Sequence, residues 1–374
     1  MSCKISFWSL LLDLSQNKKR LIAAALSGGV DSSVAAALAL KAGYDVVAVT
    51  LQLKNCDMPG IISPCCGVDA IGRAKAVAQL LNIPHYCLDY SEQFQENVLR
   101  HAWNEYDSGR TPSPCLLCNR YIKFGLLMDW ATEKKATGMV TGHYARLQHD
   151  PKKGPMLFRA VDRNKDQSYF LAAIPKSTLA RLQFPLGGMT KPEVRALAQQ
   201  MGLPTSSTVD SQDACFLAPG MTFGSILQQR FAGQTRPGKV IDDDGNVLGQ
   251  HSGIHNYTIG QRQGLGIASK SRMWIRQIRK EDATIVVTFD SDKLSSKHME
   301  VSNLNWLQEV TVGDSLNCQV QIRSRHSPQN ASIKVVSQDI VVVTFDEPAK
   351  AISPGQAAVF YDQDMVIGQG WIDG

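Results

Sequence analysis

The chain has 374 residues, of which 44% are hydrophobic and 20% are charged, with 39 Lys and Arg against 34 Asp and Glu. This length predicts two or three domains that can each bury a core, and the composition excludes a collagenous, coiled-coil or disordered chain. The net charge of +5 permits a polyanionic partner without requiring one.

The cysteine content and the N-terminus indicate where the protein works. Nine cysteines are too few, and odd in number, for a disulfide scaffold, so thiols in the core, metal ligands or reactive groups are favoured. No apolar run approaches the ~18 to 20 residues of a membrane span. An apolar patch at 7–12 comes before a basic cluster at 18–20, whereas in a secretory signal the basic residues come before the apolar ones. We expect a cytoplasmic enzyme without membrane contact, with residues 1–17 as a short extension.

Short β-type runs alternate with helical stretches from residue 21 to about 146. Strands are predicted over 21–26, 45–53, 84–89 and 138–143, and helices over 32–42, 68–81, 94–106 and 118–134. This alternation predicts βαβ units and a parallel, Rossmann-like sheet. Ligands of such a sheet bind beyond the carboxyl ends of the strands.

The pattern changes after residue 218. One more helix is predicted over 222–231, and β-type runs follow at 284–289, 318–324, 332–336, 340–345, 357–361 and 365–367. Short strands at this spacing predict a small barrel or sandwich. The expected fold class is therefore α/β, with a catalytic domain over 1–218, a small central domain over 219–283 and a β domain over 284–374.

A glycine- and serine-rich loop, residues 27–33 (SGGVDSS), separates the first strand from the first helix. Two glycines permit close approach of a ligand, and the amides at a helix N-terminus favour an anion. The loop at 27–33 lacks the lysine of a Walker A loop. A Gly-Gly turn with a serine cap is the plain alternative. The whole string resembles the SGGxDS pyrophosphate loop of the N-type ATP pyrophosphatases. This resemblance implies that the protein cleaves ATP to AMP and pyrophosphate, and that Mg²⁺ binds the phosphates.

Four further segments carry a more specific resemblance. They are TPSPCLLCNR at 111–120, TGHY at 141–144, KDQSYF at 165–170 and DSQDACF at 210–216. Together with the phosphate loop, they resemble the bacterial tRNA-specific 2-thiouridylase family, whose pattern continues through GIH at 253–255, YTIGQR at 257–262 and PGQAAVFY at 354–361. The resemblance extends from about residue 20 to the C-terminus.

The resemblance implies a thiotransferase with an ATP pyrophosphatase domain, a small central tRNA-binding domain and a C-terminal β-barrel. ATP would adenylate O2 of the wobble uridine of a tRNA, and a protein-bound sulfur would then replace that oxygen. Cys118 matches the nucleophile and Cys215 the residue that carries the persulfide. The sulfur would come from a donor protein, a cysteine desulfurase or a relay. A predicted helix start at Cys118, with Arg120 nearby, would favour its thiolate.

Cys115 departs from the commonest family pattern, which has Asp at this position. It creates a C-x-x-C pair with Cys118, and Cys215 would be a distant third thiol. Such a set resembles the [4Fe–4S] sites of iron–sulfur-dependent tRNA thiolation enzymes. Zinc, a redox pair or coincidence would also account for C-x-x-C alone. The persulfide route and the cluster route both remain open, while core packing is expected for Cys87 and Cys318.

The remaining site residues follow from the resemblance. Those implied at the ATP site are Ala25, Leu26, Ser27, Gly28, Gly29, Val30, Asp31, Ser32, Leu51 and Gly142. Those implied at the target base are Ser113, Pro114 and Cys115, and those implied to contact tRNA are His143, Lys165, Asp166, Gln167, Arg323, Ser324 and Gln356. A basic stretch over 262–280 with Trp274 would also suit RNA. The structural alternatives are a strand-end histidine for His143, a solvated turn for Lys165–Asp166 and a charged strand face for the basic stretch.

Two other functions remain possible at this stage. Another synthetase or ligase of the ATP pyrophosphatase type, similar to argininosuccinate or GMP synthase, would have no need of Cys118 and Cys215. A non-catalytic RNA-binding protein would have no need of an intact loop at 27–33.

Overall fold

The computed structural model describes residues 20–53, 68–209, 221–231, 233–269 and 271–374. These residues form three sheets, of five, four and eight strands. No helix within the described ranges has the length and apolar character needed to cross a membrane. The α/β class, with an N-terminal parallel sheet, a central domain and a C-terminal barrel, is confirmed.

The catalytic domain is built on a parallel sheet. Its strands are β1 (Leu21–Ala25), β2 (Asp45–Gln52), β3 (His85–Asp89), β4 (Gly138–Val140) and, after a hairpin of β5 (Arg146–Asp150) and β6 (Gly154–Phe158), β7 (Leu182–Gln183). The strand order is β3-β2-β1-β4-β7. The central strand β1 presents small apolar side chains to both faces, with Ala23 and Ala24 buried in two different clusters. Helices therefore cover the sheet on both sides.

The helices of this domain begin with α1 (Val30–Lys41) and α2 (Val68–Leu80). Two longer helices follow, each with a π-helical middle: α3 over 91–107 (Ser91–Phe94, Gln95–Arg100, His101–Asp107) and α4 over 114–133 (Pro114–Leu117, Cys118–Leu126, Leu127–Glu133). The shorter helices are α5 (Ser168–Leu171), α6 (Lys176–Leu179) and α7 (Lys191–Gln200). Helix α7 starts with a capping box of Thr190 and Glu193.

The central domain pairs one helix with a small sheet. Helix α8 (Phe223–Arg230) is capped by Thr222, whose Oγ1 accepts from the Ser225 amide at 3.1 Å. The strands are β8 (Gly238–Ile241), β9 (Val247–His251), β10 (Trp274–Arg279) and β11 (Thr284–Thr288), in the order β10-β11-β8-β9. Alternate residues of β10 and β11, such as Ile275, Ile285 and Val287, form its core.

The C-terminal domain is a closed barrel. Its strands are β12 (Ser295–Trp306), β13 (Ser315–Gln321), β14 (Gln329–Val335), β15 (Ile340–Lys350), β16 (Ala357–Asp362) and β17 (Met365–Ile372). Pairing of β12 with β17 closes the ring, which removes free edges from these strands. Strand β17 also pairs with β6 at Met365 and Phe158, so the barrel continues into the β5–β6 hairpin of the catalytic domain.

Two local predictions are wrong. Cys87 is exposed rather than packed in a core, because β3 lies at the edge of the parallel sheet. The helix predicted from residue 118 begins instead at Pro114, which occupies its first turn. Proline suits that position since its missing N–H would have no partner in the helix. The β5–β6 hairpin and helix α7 were not predicted.

Candidate active site

The glycine-rich loop lies at the carboxyl end of β1 and leads into α1. Gly28 has φ of +74°, and a Cβ there would lie 2.2 Å from the carbonyl oxygen of Ala70, so only glycine fits. Arg73 Nε donates to the Gly28 carbonyl at 3.0 Å. Helix α2 thus holds the loop from one side, as a phosphate-binding turn requires.

The serine hydroxyls of the loop shape its backbone. Ser32 Oγ accepts from the Ser27 amide at 3.1 Å and donates to the Gly29 carbonyl at 3.1 Å. Ser33 Oγ donates to the same carbonyl at 2.8 Å. These bonds join the loop to the first turn of α1, so the side chains of the loop order its own backbone.

Asp31 belongs to a charged cluster beside the loop. Lys191 Nζ lies 2.7 and 2.8 Å from its two carboxylate oxygens, and Tyr144 Oη donates to Oδ1 at 2.8 Å. Lys191 is only 8% exposed, which makes it a buried cation beside the glycine-rich loop. Sequence reasoning missed Lys191 and Tyr144. The Thr190–Glu193 capping box marks the helix start but does not indicate a partner 160 residues away.

Gly142, which the resemblance implies at the ATP site, packs against the other side of the loop. A Cβ at this position would lie 2.5 Å from the carbonyl carbon of Asp31 and 2.6 Å from the Ser32 nitrogen. The turn after β4 therefore packs directly on the first turn of α1. Ala25 and Leu26 lie at the end of β1 that enters the loop, and Val30 begins α1.

The cysteine pair lies on α4. Cys115 is in the first turn and half-buried, while Cys118 lies one turn further on and is buried. The observed helix start therefore places Cys115, and not Cys118, in the first turn. Cys118 packs in an apolar cluster with Leu53 and Phe94, and Leu51 of β2 contacts the same cluster. This cluster joins the strand expected to bind ATP to the expected nucleophile.

Cys215 lies outside the described residues, as does Lys270 of the basic stretch. Among the ranges described, no three His, Cys, Asp or Glu side chains converge as metal ligands would. Cys115 and Cys118 are two of the three thiols expected at the sulfur site.

His143 follows β4 and lies over α4. Its ring packs against Phe124 and Phe184, at centroid distances of 5.5 and 6.0 Å, and its Nδ1 lies 2.8 Å from Thr141 Oγ1. Burial, with a smaller effect of the Lys123 charge, lowers the pKa of His143 to about 3. The side chain is therefore neutral at pH 7. A contact with RNA here would use stacking or a hydrogen bond rather than charge.

Residues 165–167 form a turn whose polar groups are used within the protein. Asp166 accepts from the amides of Ala160 and Ser168 at 2.9 and 3.2 Å and forms a 3.4 Å ion pair with Arg159. Gln167 Oε1 accepts from the Tyr144 amide at 2.9 Å. The Asp166 and Gln167 side chains therefore order the turn, and the half-buried Lys165 is the cation that it presents.

Arg323 and Gln356 both lie at domain contacts. Arg323 Nη2 donates to the carbonyls of Ile259 and Ala351 at 2.9 and 2.8 Å and to Ser353 Oγ at 2.6 Å. It therefore joins the central domain to the barrel, whereas the neighbouring Ser324 is exposed. Gln356 Nε2 donates to the carbonyls of Thr111 and Pro112, at 3.2 and 2.8 Å, in the loop before Cys115.

Comparison with known families covers all three domains. The tRNA methyl transferase HUP domain family matches residues 20–219, the tRNA methyl transferase PRC-barrel domain matches 225–288, and the aminomethyltransferase β-barrel domain matches 296–372. A solved complex of a 4-thiouridine synthetase with RNA and ATP matches with a TM-score of 0.33, at 17% identity, over 57% of this chain and 50% of that chain. That similarity is too low to support an argument.

Full-length relatives are much closer. The tRNA-specific 2-thiouridylase MnmA of Acidobacterium capsulatum is 40% identical, covering 94% of this chain and 98% of the relative. The protein of the same name from Carboxydothermus hydrogenoformans is 41% identical, covering 97% of this chain and 99% of the relative. Identity at this level over almost the whole length, together with the phosphate loop and the cysteine helix, means that the chain belongs to the tRNA-specific 2-thiouridylase MnmA family.

Proposed function

We propose that this chain catalyses the ATP-dependent 2-thiolation of the wobble uridine of tRNA. The supporting observation is that one catalytic domain holds both an ordered SGGVDSS loop and a buried Cys118, linked by an apolar cluster that Leu51 contacts. A synthetase without sulfur chemistry would need only the loop. A non-catalytic RNA-binding protein would need neither feature.

The first half-reaction is adenylation. O2 of the uridine attacks the α-phosphorus of ATP, the bond to the β-phosphate oxygen breaks, and pyrophosphate leaves. The loop amides and the N-terminus of α1 favour the phosphates. Magnesium bound by ATP would neutralise phosphate charge, and Asp31, the one carboxylate of the 27–33 loop, would hold it. Lys191 would balance the Asp31 charge when no magnesium is bound.

The second half-reaction replaces the activated oxygen by sulfur. A donor protein, a cysteine desulfurase or a relay, loads Cys215 as a persulfide, Cys–S–SH. The Cys118 thiolate attacks the inner sulfur, which forms a Cys118–Cys215 disulfide and releases HS⁻. The HS⁻ attacks C2 of the uridine, AMP leaves with the oxygen, and an external dithiol then reduces the disulfide.

An iron–sulfur route is the alternative for sulfur delivery. Cys115 and Cys118 are three residues apart on α4 and so share a face, which suits two ligands of one cluster. With Cys215 as third ligand, a [4Fe–4S] cluster would keep one iron open for a sulfide. Anaerobic purification followed by iron and sulfide analysis tests this route, and full activity of an iron-free protein would exclude it.

Serine variants test the persulfide route. Cys118→Ser and Cys215→Ser should each reduce 2-thiouridine formation to background, because serine neither carries nor releases sulfur. Cys215→Ser should still release pyrophosphate and form adenylated tRNA, because adenylation precedes sulfur transfer and AMP leaves only in the second half-reaction.

Cys87→Ser is the matched control, since Cys87 is exposed on the edge strand β3 and should be dispensable. Normal thiolation by either the Cys118 or the Cys215 variant would contradict the mechanism. Pyrophosphate release without any thiolation by the unaltered chain would favour a different ligase.

The organisation of the chain is proposed on the same basis. Catalytic residues are assigned to 1–218, with 1–17 as an extension, tRNA binding to 219–283 and a barrel to 284–374. The change of sheet after β7 supports the first boundary, whereas β11 (Thr284–Thr288) pairs in the sheet of the central domain, so we draw the second boundary after Thr288 rather than after residue 283. Since tRNA is the substrate, we place the reaction in the cytoplasm.

A further inference from the structure

The loop that precedes the cysteine helix is held by the C-terminal barrel. Gln356 Nε2 donates to the carbonyl oxygens of Thr111 and Pro112 at 3.2 and 2.8 Å. The Thr111 amide donates to the carbonyl of Pro354 at 2.8 Å. Both main-chain polar groups of Thr111 are therefore bonded to the segment that leads into β16.

Gln356 is itself fixed to the barrel. Its carbonyl accepts from the Ile372 amide at 2.9 Å, and its amide donates to the Ser353 carbonyl at 3.2 Å. The preceding Gly355 has φ of +87°, and a Cβ there would lie 2.5 Å from Glu105 Oε2 and 2.8 Å from the Thr111 oxygen. The side-chain amide of Gln356 therefore extends from an anchored backbone in close contact with the loop.

Two more contacts hold the same loop. Arg110 Nη2 lies 3.2 Å from both the Ile372 carbonyl and Asp373 Oδ1, at the end of the barrel. Thr111 Oγ1 donates to Thr258 Oγ1 of the central domain at 3.3 Å. All three domains therefore meet at residues 110–112.

The segment between this junction and the two thiols has little conformational freedom. Pro112 and Pro114 restrict the backbone, Ser113 is only 8% exposed, and the Leu116 amide donates to the Ser113 carbonyl at 3.2 Å. Only Ser113 lies between the Pro112 carbonyl that Gln356 holds and the first residue of α4. A displacement at Gln356 would be transmitted directly to Cys115 and Cys118.

We propose that Gln356 is a positioning residue for sulfur transfer, acting through the 111–113 loop to set where Cys115 and Cys118 meet the target base. This assignment differs from the tRNA contact that resemblance implies for this position, and it rests on the proposed function. A displacement of about 1 Å at a reacting group can cost on the order of 100-fold in rate. The expected deficit is therefore in the chemical step and not in tRNA binding.

Gln356→Ala and Gln356→Glu test the proposal by separating kcat from KM. The glutamate variant keeps the size of the side chain but cannot donate to two carbonyls. Both variants should lower kcat for 2-thiouridine formation at least tenfold and leave the KM for tRNA within about twofold. Gln338→Ala, an exposed glutamine on the same barrel, is the control and should match the unaltered chain.

Hydrogen exchange provides a second readout that does not depend on activity. Amides over 110–116 should exchange at least tenfold faster in both Gln356 variants than in the unaltered chain or in Gln338→Ala. A raised KM with unchanged kcat, or unchanged exchange of this loop, would overturn the proposal. If the unaltered chain failed to thiolate tRNA, the proposed function would fail, while the exchange measurement would still decide whether Gln356 orders the loop.

Discussion

At the scale of single residues, several polar side chains in this protein are committed to internal partners. Asp31 is paired with Lys191 and Tyr144, Asp166 caps its own turn, and His143 is enclosed by Phe124 and Phe184. Buried polar groups need such partners because desolvation without them is costly. The enclosure of His143 can be tested by measuring how protein stability depends on pH.

His143 should make the protein sensitive to acid. Its pKa is about 3 when folded and about 6.5 in an unfolded chain, so between these values the unfolded state binds one more proton. The contribution of His143 to stability is complete above pH 6.5 and is lost as pH falls towards 3. His143→Gln should remove this loss, so the free energy of unfolding of the unaltered chain minus that of the variant should shrink from pH 7.5 to pH 5.

Urea unfolding at pH 7.5, 6 and 5 measures that difference. Other histidines with lowered pKa, such as His85 and His251, are present in both proteins and cancel. His149→Gln, in the exposed β5 strand, is the control. A difference between the unaltered chain and His143→Gln that does not change with pH would contradict the enclosure of His143.

At the scale of secondary-structure elements, the nucleotide end of the catalytic domain depends on close approach of three segments. The turn after β4 meets the first turn of α1 at Gly142 and Asp31, and the N-terminal half of α2 meets the glycine-rich loop at Ala70 and Gly28. Glycine permits this packing because any side chain would overlap with backbone atoms, which cannot move aside as a flexible side chain can.

Gly142→Ala should disrupt the phosphate loop. The added Cβ would lie 2.5 Å from the Asp31 carbonyl carbon, so α1 or the β4 turn must shift. We expect tRNA-dependent AMP formation to fall at least tenfold, with a loss of stability of about 1–3 kcal/mol. Gly188→Ala is the matched control, since no atom lies within 4 Å of its added Cβ. Normal AMP formation by Gly142→Ala would mean that the loop geometry is not needed.

At the scale of the whole molecule, the barrel is connected to both other domains. Strand β17 pairs with β6, Gln356 bonds to the 111–112 loop, and Arg323 joins the central domain to the 351–353 loop. Burial lowers the pKa of Arg323, and the guanidinium still carries its charge because arginine stays protonated in proteins. The barrel is therefore bonded to both other domains and is not a separate appended module.

Arg323→Ala should destabilise this connection. Three acceptors would lose their donor, and a stability loss of about 1–3 kcal/mol is expected from urea unfolding. Arg325→Ala, two residues away and exposed, should stay within about 0.5 kcal/mol of the unaltered chain. Unchanged stability of Arg323→Ala, combined with weaker tRNA binding and a shallower salt dependence, would indicate a phosphate contact instead.

The sequence by itself determined the order of β1–β4 and α1–α4 in the catalytic domain, the glycine-rich loop at 27–33 and the thiol positions Cys115 and Cys118. These features depend on neighbouring residues: apolar runs, the two adjacent glycines, and motifs of a few residues. The helix start at 114 and the exposure of Cys87 depended on backbone context and on the position of β3 at a sheet edge.

Only the tertiary structure decided which distant groups meet. Lys191 pairs with Asp31 across 160 residues, and Gln356 holds Pro112 across 244. Such contacts leave no local pattern, because each residue is compatible with its own helix or strand whether or not its partner is near. Packing of α7 on α1 brings Lys191 to Asp31, and packing of the barrel on the catalytic domain brings Gln356 to Pro112.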